Sequence, residues 1–258
     1  MKEKLRISLV EFDIEWEDPQ ANREFLSDLF QGIETDLIVL PEMFPTGFSM
    51  NPEKIAEQPF GKTYEWMKSQ AEMRNTAVCG SISTAENGKY FNRFYFVTPE
   101  ETYVYDKKHL FGYGRETEAY SAGNEIISFD YLGWKIRPIV CYDLRFPVWC
   151  RNSDDYDLLI CVANWPAVRV EPWKALLKAR AIENMAYTIG VNRIGTDDYD
   201  LKYNGNSKVF DAVGEEVKRD SEKRFLFQTE ISAELLRNFR DNFRFLDDRD
   251  AFEIKTIN

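Results

Sequence analysis

Residues 133–149 read GWKIRPIVCYDLRFPVW, and this stretch carries a buried strand into a polar loop. The apolar run that starts at Trp134 ends on Cys141, and the residues YDLR follow at once. A cysteine inside a strand is usually inert packing, whereas a cysteine where a strand ends can face a pocket and act as a nucleophile. The stretch therefore predicts a strand that delivers a candidate nucleophile to one edge of a sheet.

Apolar runs of strand length alternate with helical patterns along the rest of the chain. Strands are predicted over 4–14, 36–43, 76–83, 89–99, 102–111, 134–141, 157–164, 187–192, 206–212 and 223–231. Helices are predicted over 18–32, 61–75 and 171–186, with two more beginning at Phe146 and Ser232. No internal repeat, low-complexity stretch or linker interrupts this order. The sequence therefore predicts a single α/β domain over residues 1–258.

Composition and charge argue against a nucleic-acid partner, secretion and a membrane span. The net charge is −11, from 44 acidic and 33 basic residues, and no basic block stands out, so a nucleic-acid partner is not expected. The N-terminal segment MKEKLRISLVEFDIEW lacks the apolar core of a signal peptide. No apolar run approaches the length of about 18 residues that a membrane span needs. We therefore expect a soluble, cytoplasmic protein.

The cysteine and histidine content excludes several kinds of site. Cys79, Cys141, Cys150 and Cys161 show no CxxC spacing, and His109 is the only histidine. These residues form neither a zinc finger nor an HExxH site, and a Ser-His-Asp triad would depend on His109 alone. Disulfide bonds are not expected in a cytosolic protein of this size. We therefore expect no metal and no cofactor.

Three of the predicted strands end in residues that could take part in a chemical reaction. Glu42 follows DLIVLP, Lys107 and Lys108 follow TYVYD, and Cys141 follows IRPIV. Each of them alone has an ordinary explanation as a surface or packing residue. In open α/β sheets, however, ligands bind at the carboxyl ends of the strands. A carboxylate, an ammonium and a thiol are therefore expected to meet in one cleft.

The segments around these residues resemble a known family. LPEMFPTGFSM, YDKKHLF and CYDLRFP occur in the order of the glutamate, lysine and cysteine motifs of the nitrilase superfamily of carbon–nitrogen hydrolases. ANWP (163–166) and ARAIENMAY (179–187) are similar to later segments of the same family. The resemblance extends from residue 5 to about residue 230. It implies a four-layer α-β-β-α sandwich with two central sheets.

The resemblance also assigns catalytic residues. It makes Cys141 the nucleophile, Glu42 the group that moves protons, and Lys107 the cation that stabilises the oxyanion together with the backbone N–H of Tyr142. The family register favours Lys107 over its neighbour Lys108, since adjacent strand residues point to opposite faces. A cation beside Cys141 is expected to favour the thiolate.

Two further residues of the lysine motif receive roles from the same resemblance. The family places a second glutamate shortly after the lysine motif, and counting back from Gly123 favours Glu116 over Glu118. His109 is expected to orient its loop and not to transfer protons. Glu42 takes the place that a histidine base has in other hydrolases, which explains how one histidine suffices.

The segments PEMFPTGFSM, CYDLRFPVW and ANWPAVR are most similar to the ω-amidase branch, whose members release ammonia from 2-oxoglutaramate and 2-oxosuccinamate. A substrate that carries a carboxylate needs a cation near the cleft mouth. Arg169 is the first candidate, with Arg115 and Lys62 as others, and an ordinary surface arginine is the alternative. The remaining functional alternatives are a carbamoylase, another small-amide or nitrile hydrolase, and a catalytically silent binding protein.

Other residues near the cysteine and the ANWP motif are open to a structural or a functional interpretation. Trp165 follows a predicted strand end, where it would either cover the substrate or serve only for packing. Arg145 is expected to pair with a carboxylate that fixes the turn after Cys141.

The resemblance further implies association of two chains through the helix predicted over 171–186. In this helix Trp173, Leu176, Leu177, Ala181 and Ile182 are spaced as one apolar face. The aromatic tail, residues 238–258, is the other candidate contact. We therefore expect a homodimer or a larger homo-oligomer.

Overall fold

The computed structural model describes residues 1–255, which form two β-sheets, a short hairpin and flanking helices. The strands are β1 (Lys4–Val10), β2 (Leu37–Val39), β3 (Ala77–Glu86), β4 (Lys89–Val97), β5 (Thr102–Asp106), β6 (Phe129–Tyr131), β7 (Trp134–Val140), β8 (Leu158–Ala163), β9 (Tyr187–Asn192), β10 (Ile194–Thr196), β11 (Lys202–Asn204), β12 (Lys208–Phe210), β13 (Ser221–Lys223) and β14 (Leu226–Ser232). The helices are α1 (Pro19–Leu29), α2 (Pro52–Ile55), α3 (Lys62–Arg74), α4 (Glu116–Ala119), α5 (Pro147–Cys150), α6 (Val170–Asn184) and α7 (Ala233–Asn242).

One sheet has seven strands in the order β13-β14-β1-β2-β3-β4-β5, and the other has five in the order β12-β9-β8-β7-β6. β1, β2 and β3 are parallel, and two successive antiparallel pairings give β5 the same direction. β7, β8 and β9 are parallel in the second sheet. The carboxyl ends of β2 and β5 therefore lie at one edge of the first sheet, and those of β7 and β8 lie at one edge of the second.

The two sheets face each other, and helices cover their outer faces. Alternate residues of β2 show this layering, since Leu37 packs in the core between the sheets while Ile38 packs in a second core with α1 and α3. Helix α6 covers the five-stranded sheet through Trp173 and Leu177. The α/β four-layer α-β-β-α sandwich expected from the sequence is confirmed.

Helix α6 packs unusually close to its sheet at Gly190 of β9. A Cβ atom built on Gly190 would lie 2.3 Å from a methyl carbon of Leu177, so only glycine fits there. Of the predicted apolar face, Trp173, Leu177 and Ala181 are fully buried against the sheet. Ile182, which was expected on this face, is 47% exposed because the face is narrower than the spacing suggested.

Several predicted boundaries were wrong at the ends that approach the site. β1 ends at Val10. Phe12 and Ile14 lie in the following loop but are packed in the second core, and their alternating apolar pattern was therefore mistaken for a continuation of the strand. The strand predicted to reach residue 111 ends at Asp106. The short strands β10 and β11 were not predicted, because neither carries an alternating apolar pattern. Glu42, Lys107 and Cys141 therefore lie just after their strands and not within them.

The predicted contact tail begins in α7 and continues through a 3₁₀ turn at Phe245–Asp248; residues 256–258 lie outside the described residues. Phe239 packs on the main core, while Phe243 and Phe245 are exposed and contact each other. Within residues 1–255, no helix has the length and apolar character needed to cross a membrane.

Candidate active site

Four of the residues selected from the sequence meet where the two sheets abut. Glu42 follows β2, Lys107 follows β5, Glu116 begins α4, and Cys141 follows β7. The first three come from the seven-stranded sheet and its loops, whereas Cys141 comes from the five-stranded sheet. The parallel strand directions bring these ends to one place, as the sequence predicted.

Lys107 lies at the centre of this group. Its Nζ donates to Oε1 of Glu42 at 2.9 Å and to both carboxylate oxygens of Glu116 at 3.0 and 2.9 Å, and its side chain is fully buried. Burial disfavours the ammonium, but the carboxylates of Glu116 and Glu42 outweigh it and hold the pKa of Lys107 well above its ordinary value. Lys107 is therefore a fixed positive charge.

Lys108 and Glu118, the neighbours that the sequence left as alternatives, lie elsewhere. The ammonium of Lys108 lies 5.7 Å from the centre of the Trp149 ring. Glu118 is exposed and pairs with Arg115 at 2.7 Å. Glu116, in contrast, is completely buried against Lys107. Burial raises the pKa of the Glu116 carboxyl, Lys107 opposes this, and the Glu42 charge adds to the rise.

Glu42 is fully buried and receives hydrogen bonds from both sheets. Its Oε1 accepts from Nζ of Lys107 and from Nδ2 of Asn92 at 2.8 Å. Its Oε2 accepts from the backbone N–H of Asn164 at 2.8 Å, and its backbone carbonyl accepts from Nδ2 of Asn164 at 2.6 Å. Asn164 directly follows β8, so these two bonds join the sheets at the site.

Asn92 is a residue of this site that sequence reasoning missed. It lies in β4 on the face that carries Phe94 and Phe96, and its Nδ2 donates to Glu42 and, at 3.1 Å, to Glu116. The available signal was a polar residue at an inward position of an otherwise apolar strand face, because buried polar residues are the informative exceptions to the hydrophobic pattern.

Cys141 has a backbone conformation that fits a functional position. Its φ of 45° lies in the left-handed region, which costs a non-glycine residue on the order of 1–3 kcal/mol and occurs mainly where the surrounding structure imposes it. This conformation turns the chain from β7 into a 3₁₀ helix at Cys141–Arg145. Cys141 is partly exposed, whereas Cys79, Cys150 and Cys161 are fully buried.

The thiol of Cys141 is protonated at rest. Burial and the Glu42 carboxylate raise its pKa well above the ordinary value, and Lys107 lowers it by less. Lys107 therefore favours the thiolate, as expected, but burial and the Glu42 carboxylate favour the neutral thiol more strongly. Attack by Cys141 consequently requires a base that removes the proton during the reaction.

Asp143 fixes the cysteine loop to the lysine loop. Its Oδ1 accepts from the backbone N–H of His109 at 2.8 Å and lies 2.7 Å from Nδ1 of the same residue. Its Oδ2 accepts from the hydroxyl of Tyr105 and from the N–H of Val140. The His109 ring stacks on Phe146 with centroids 3.6 Å apart. His109 thus orients the loop.

Cys141 opens into a cavity of about 500 Å³. The wall includes Tyr142, Asn164, Trp165, Arg145 and Arg169, and the mouth is formed by largely exposed side chains, namely Tyr113, Val168, Tyr199 and Leu201. Among the described residues, no group of three or more histidine, cysteine, aspartate or glutamate side chains is arranged to hold a metal ion.

Two arginines on this wall form no ion pair with any of the described side chains. The guanidinium of Arg145 lies 4.8 Å from the centre of the Trp165 ring, and that of Arg169 lies 5.4 Å from the centre of the Phe111 ring. The expected ion pair of Arg145 was therefore wrong. Arg115 lines the cavity but pairs with Glu118, and Lys62 begins α3 and does not line the cavity.

Trp165 is held rigidly in the wall, with 3% of its surface exposed. Its backbone N–H donates to Oδ1 of Asn192, and Nδ2 of Asn192 donates back to its carbonyl. Its indole N–H donates to the carbonyl of Arg169 at 2.7 Å. Tyr142 is half-buried, and its ring packs edge-on against Phe111 and Phe146. Both residues shape the cavity.

Comparison with known proteins identifies the family. The carbon-nitrogen hydrolase family model matches residues 6–241. This chain belongs to the carbon-nitrogen hydrolase family. It is therefore a hydrolase that acts on carbon–nitrogen bonds, and its fold and its buried acid–ammonium–thiol cluster agree with that membership.

Curated carbon–nitrogen hydrolases resemble the chain over nearly its whole length. It is 42% identical to the omega-amidase YafV of Yersinia enterocolitica, covering 96% of this chain and 98% of that protein. It is 30% identical to the 2-oxoglutaramate amidase of Bacillus subtilis, covering 95% and 97% of the two chains. A CN-hydrolase superfamily protein from Xanthomonas campestris, with an arsenic adduct in its active site, superimposes with a TM-score of 0.94 at 40% identity, covering 98% and 99%.

Proposed function

We propose that this carbon–nitrogen hydrolase is an ω-amidase. It would release ammonia from the terminal amide of small ω-amides of dicarboxylates, such as 2-oxoglutaramate and 2-oxosuccinamate, through a thioester on Cys141. The observation that carries the proposal is a cavity in which that thiol, beside the Glu42–Lys107 pair, shares a wall with Arg145 and Arg169. The similarity to omega-amidase YafV and to a 2-oxoglutaramate amidase supports it.

In the first half of the reaction, Cys141 attacks the amide carbon of the substrate. Because its thiol is protonated at rest, Glu42 removes the proton as the sulfur–carbon bond forms. The carbonyl oxygen becomes an oxyanion, which the ammonium of Lys107 and the backbone N–H of Tyr142 stabilise. Glu42 then gives its proton to the amide nitrogen, the carbon–nitrogen bond breaks, and ammonia leaves.

In the second half, water hydrolyses the thioester. Glu42 is ionised again after ammonia has left, so it removes a proton from the water that attacks the thioester carbon. The carbon–sulfur bond breaks, and the proton on Glu42 returns to the sulfur of Cys141. The product is a dicarboxylate, and the resting cluster is restored. Glu42 thus moves protons in both halves, while Lys107 keeps its charge throughout.

Arg145 and Arg169 are proposed to bind the carboxylate of the substrate. A guanidinium without an ion-pair partner among the described side chains is available for a bound anion, and its planar donors match a carboxylate. Both arginines rest on aromatic rings, of Trp165 and Phe111, which hold the groups toward the cavity. A substrate with an amide at one end and a carboxylate at the other would place the amide at Cys141 and the carboxylate at these arginines, which line the same cavity.

A carbamoylase acting on N-carbamoyl acids is the second candidate function. Such a substrate also joins a carbonyl next to nitrogen with a carboxylate, so the same arginines and the same cluster would serve it. A simple nitrile without a carboxylate would leave the two arginines unused, and a silent binding protein would have no need of the buried Glu42–Lys107–Glu116 cluster.

The test is ammonia release by the purified protein over a panel of amides. We expect 2-oxoglutaramate and 2-oxosuccinamate to give the highest kcat/KM, well above simple aliphatic amides, nitriles and N-carbamoyl amino acids. Higher kcat/KM on N-carbamoyl amino acids would replace the proposal by the carbamoylase alternative. No release from any compound, with an intact Cys141 thiol, would favour a binding protein.

A further inference from the structure

The two buried carboxylates differ in how completely their oxygens are used. A carboxylate has about four lone-pair positions that accept hydrogen bonds. Glu116 uses all four, because Oε1 accepts from Asn92 and Lys107, and Oε2 accepts from Lys107 and from the N–H of Phe111 at 2.6 Å. A proton could reach this carboxylate only by displacing one of these donors.

Glu42 keeps one lone-pair position without a hydrogen-bond donor among the described residues, and this position is on Oε2. Its Oε1 accepts from both Asn92 and Lys107, whereas Oε2 accepts from the N–H of Asn164 alone among residues 1–255. The carbonyl of the same Asn164 lies 4.0 Å from Sγ of Cys141. Since Oε1 is fully occupied, Oε2 is the oxygen of Glu42 that keeps a lone pair free to take the proton of Cys141.

We propose that Asn92 is a positioning residue that reserves Oε2 of Glu42 for proton transfer. The role rests on the proposed amide hydrolysis. The two hydrogens of one amide nitrogen bond to two different carboxylates, which occupies Oε1 of Glu42 and fixes its rotation relative to Glu116. Carboxylate oxygens only accept, so the atom that faces both of them is the nitrogen.

The neutrality of Asn92 matters as much as its geometry. Lys107 already supplies one positive charge to the two carboxylates. A second cation at this position would weaken Glu42 as a base, whereas an amide donates hydrogen bonds without adding charge. Asn92 therefore orients the base without changing the charge of the cluster.

The experiment compares Asn92→Ala and Asn92→Asp with Asn152→Ala. Asn152 is an equally buried asparagine that bonds to Tyr156 and Asn184 and does not line the cavity. Three quantities are measured for each variant: the pH dependence of kcat/KM on the amide that wild type hydrolyses fastest, the pH dependence of Cys141 alkylation by iodoacetamide, and the melting temperature.

For Asn92→Ala we expect kcat to fall about tenfold or more with KM within about threefold, because Oε1 then competes for the proton. The acidic limb of both pH profiles should move upward by about one pH unit, the size expected for one lost hydrogen bond to a charged group. Asn92→Asp should lose more activity, since a third carboxylate repels the other two. Asn152→Ala should lower the melting temperature and leave both profiles unchanged.

The proposal is overturned if Asn92→Ala keeps both wild-type profiles, or if Asn152→Ala shifts them equally. Should Asn92→Ala fail to fold, Asn92→Ser replaces it, and an unshifted profile has the same meaning. The alkylation profile needs no substrate. A wild-type protein that is inactive on ω-amides would therefore refute the proposed function while this measurement still decides the role of Asn92.

Discussion

At the buried end of the cavity an ammonium and two carboxylates form ion pairs, whereas two arginines of the cavity wall form none with the described side chains. Lys107 contacts two carboxylates within 3.0 Å, and all three side chains are removed from solvent. The guanidinium groups of Arg145 and Arg169 lie over aromatic rings and form no ion pair with the described side chains. The paired end is complete without a substrate, whereas the two arginines are proposed to bind the substrate's carboxylate.

Under the proposed function, the paired groups carry out the reaction and the unpaired arginines select the substrate. Groups that must hold one geometry through several proton transfers are locked by neighbours from both sheets, because preorganised charges cost no rearrangement during the reaction. Groups that select a substrate must release it as product, so an unpaired guanidinium suits them. Substitutions at the buried end should therefore reduce the rate for every amide, and substitutions of the arginines should change which amide is preferred.

The largest effect is expected for Cys141→Ala. Turnover should fall by more than about 10⁴-fold, as for other removed nucleophiles, because no thioester can form. The free energy of unfolding should change by less than about 1 kcal/mol, since one partly exposed thiol contributes little packing. Ammonia release and thermal melting measure the two quantities.

The matched control for Cys141 is Cys79→Ala, which removes a thiol from the core between the sheets. Its loss should lower stability and leave kcat nearly unchanged. If Cys141→Ala retained a tenth of the wild-type activity, covalent catalysis by this residue would be refuted.

The next largest effect is expected for Lys107→Met. Loss of a donor to a buried oxyanion costs about 10²–10³ in rate, and the carboxylates of Glu42 and Glu116 lose their common partner as well. Lys107→Arg should also fail, because a planar guanidinium does not fit a site built around a compact ammonium. Initial rates on folded protein, checked by circular dichroism, provide the measurement.

Lys108→Met is the control for that prediction, since it removes the same charge one residue away. Its activity should stay within a few-fold of wild type. An inactive Lys108→Met protein beside an active Lys107→Met protein would contradict the structure at this loop and would reopen the assignment of Glu116.

A smaller and selective effect is expected for Arg169→Met and Arg145→Met. A charge-assisted hydrogen bond contributes about 1.5–3 kcal/mol, so KM for an ω-amide with a carboxylate should rise about 10- to 150-fold. An uncharged amide such as butyramide should be hydrolysed as by wild type. Arg115→Met, which removes an arginine already paired with Glu118, should leave KM unchanged for both substrates. An equal loss of activity on both amides would show that these arginines have a structural role and do not bind the carboxylate.

The smallest effect on the rate is expected at α6, through which we propose that two chains associate. Leu176 is partly buried, and Ile182 and Val213 leave about half their surface exposed, so they offer apolar surface to a second copy. Light scattering at micromolar concentration should give a dimer or larger for wild type, and Ile182→Glu should shift it toward the monomer with little loss of kcat. A wild-type monomer would remove this proposal.

Much of the fold was predictable because its strands are buried and apolar. DLIVLP and IRPIV predicted β2 and β7, and the residue types at their ends indicated where Glu42 and Cys141 would meet. The sequence could not predict which residues of one sheet contact which residues of the other. The hydrogen bonds from Asn164 to Glu42 join residues 122 positions apart, and no local pattern encodes them.

The error at Arg145 has a related cause, and so does the incomplete expectation for the thiol of Cys141. A local pattern predicted that a carboxylate would neutralise Arg145, but the nearby Asp143 is already used by Tyr105, His109 and Val140. At Cys141 the motifs correctly indicated a cation that favours the thiolate, but they did not show that burial and Glu42 raise the pKa of the thiol by more. Tyr105, His109 and Glu42 are distant in sequence from these two residues, so only the folded structure reveals their effect.

The origin of the site residues in two different sheets has a consequence for unfolding. Glu42, Asn92, Lys107 and Glu116 belong to one sheet and its loops, and Cys141 and Asn164 belong to the other. A slight separation of the sheets would break the Asn164–Glu42 bonds while each sheet kept its own backbone ladder. In rising denaturant, ammonia release should therefore disappear before the far-ultraviolet dichroism changes, so that the enzyme's own turnover reports on the docking of its two halves.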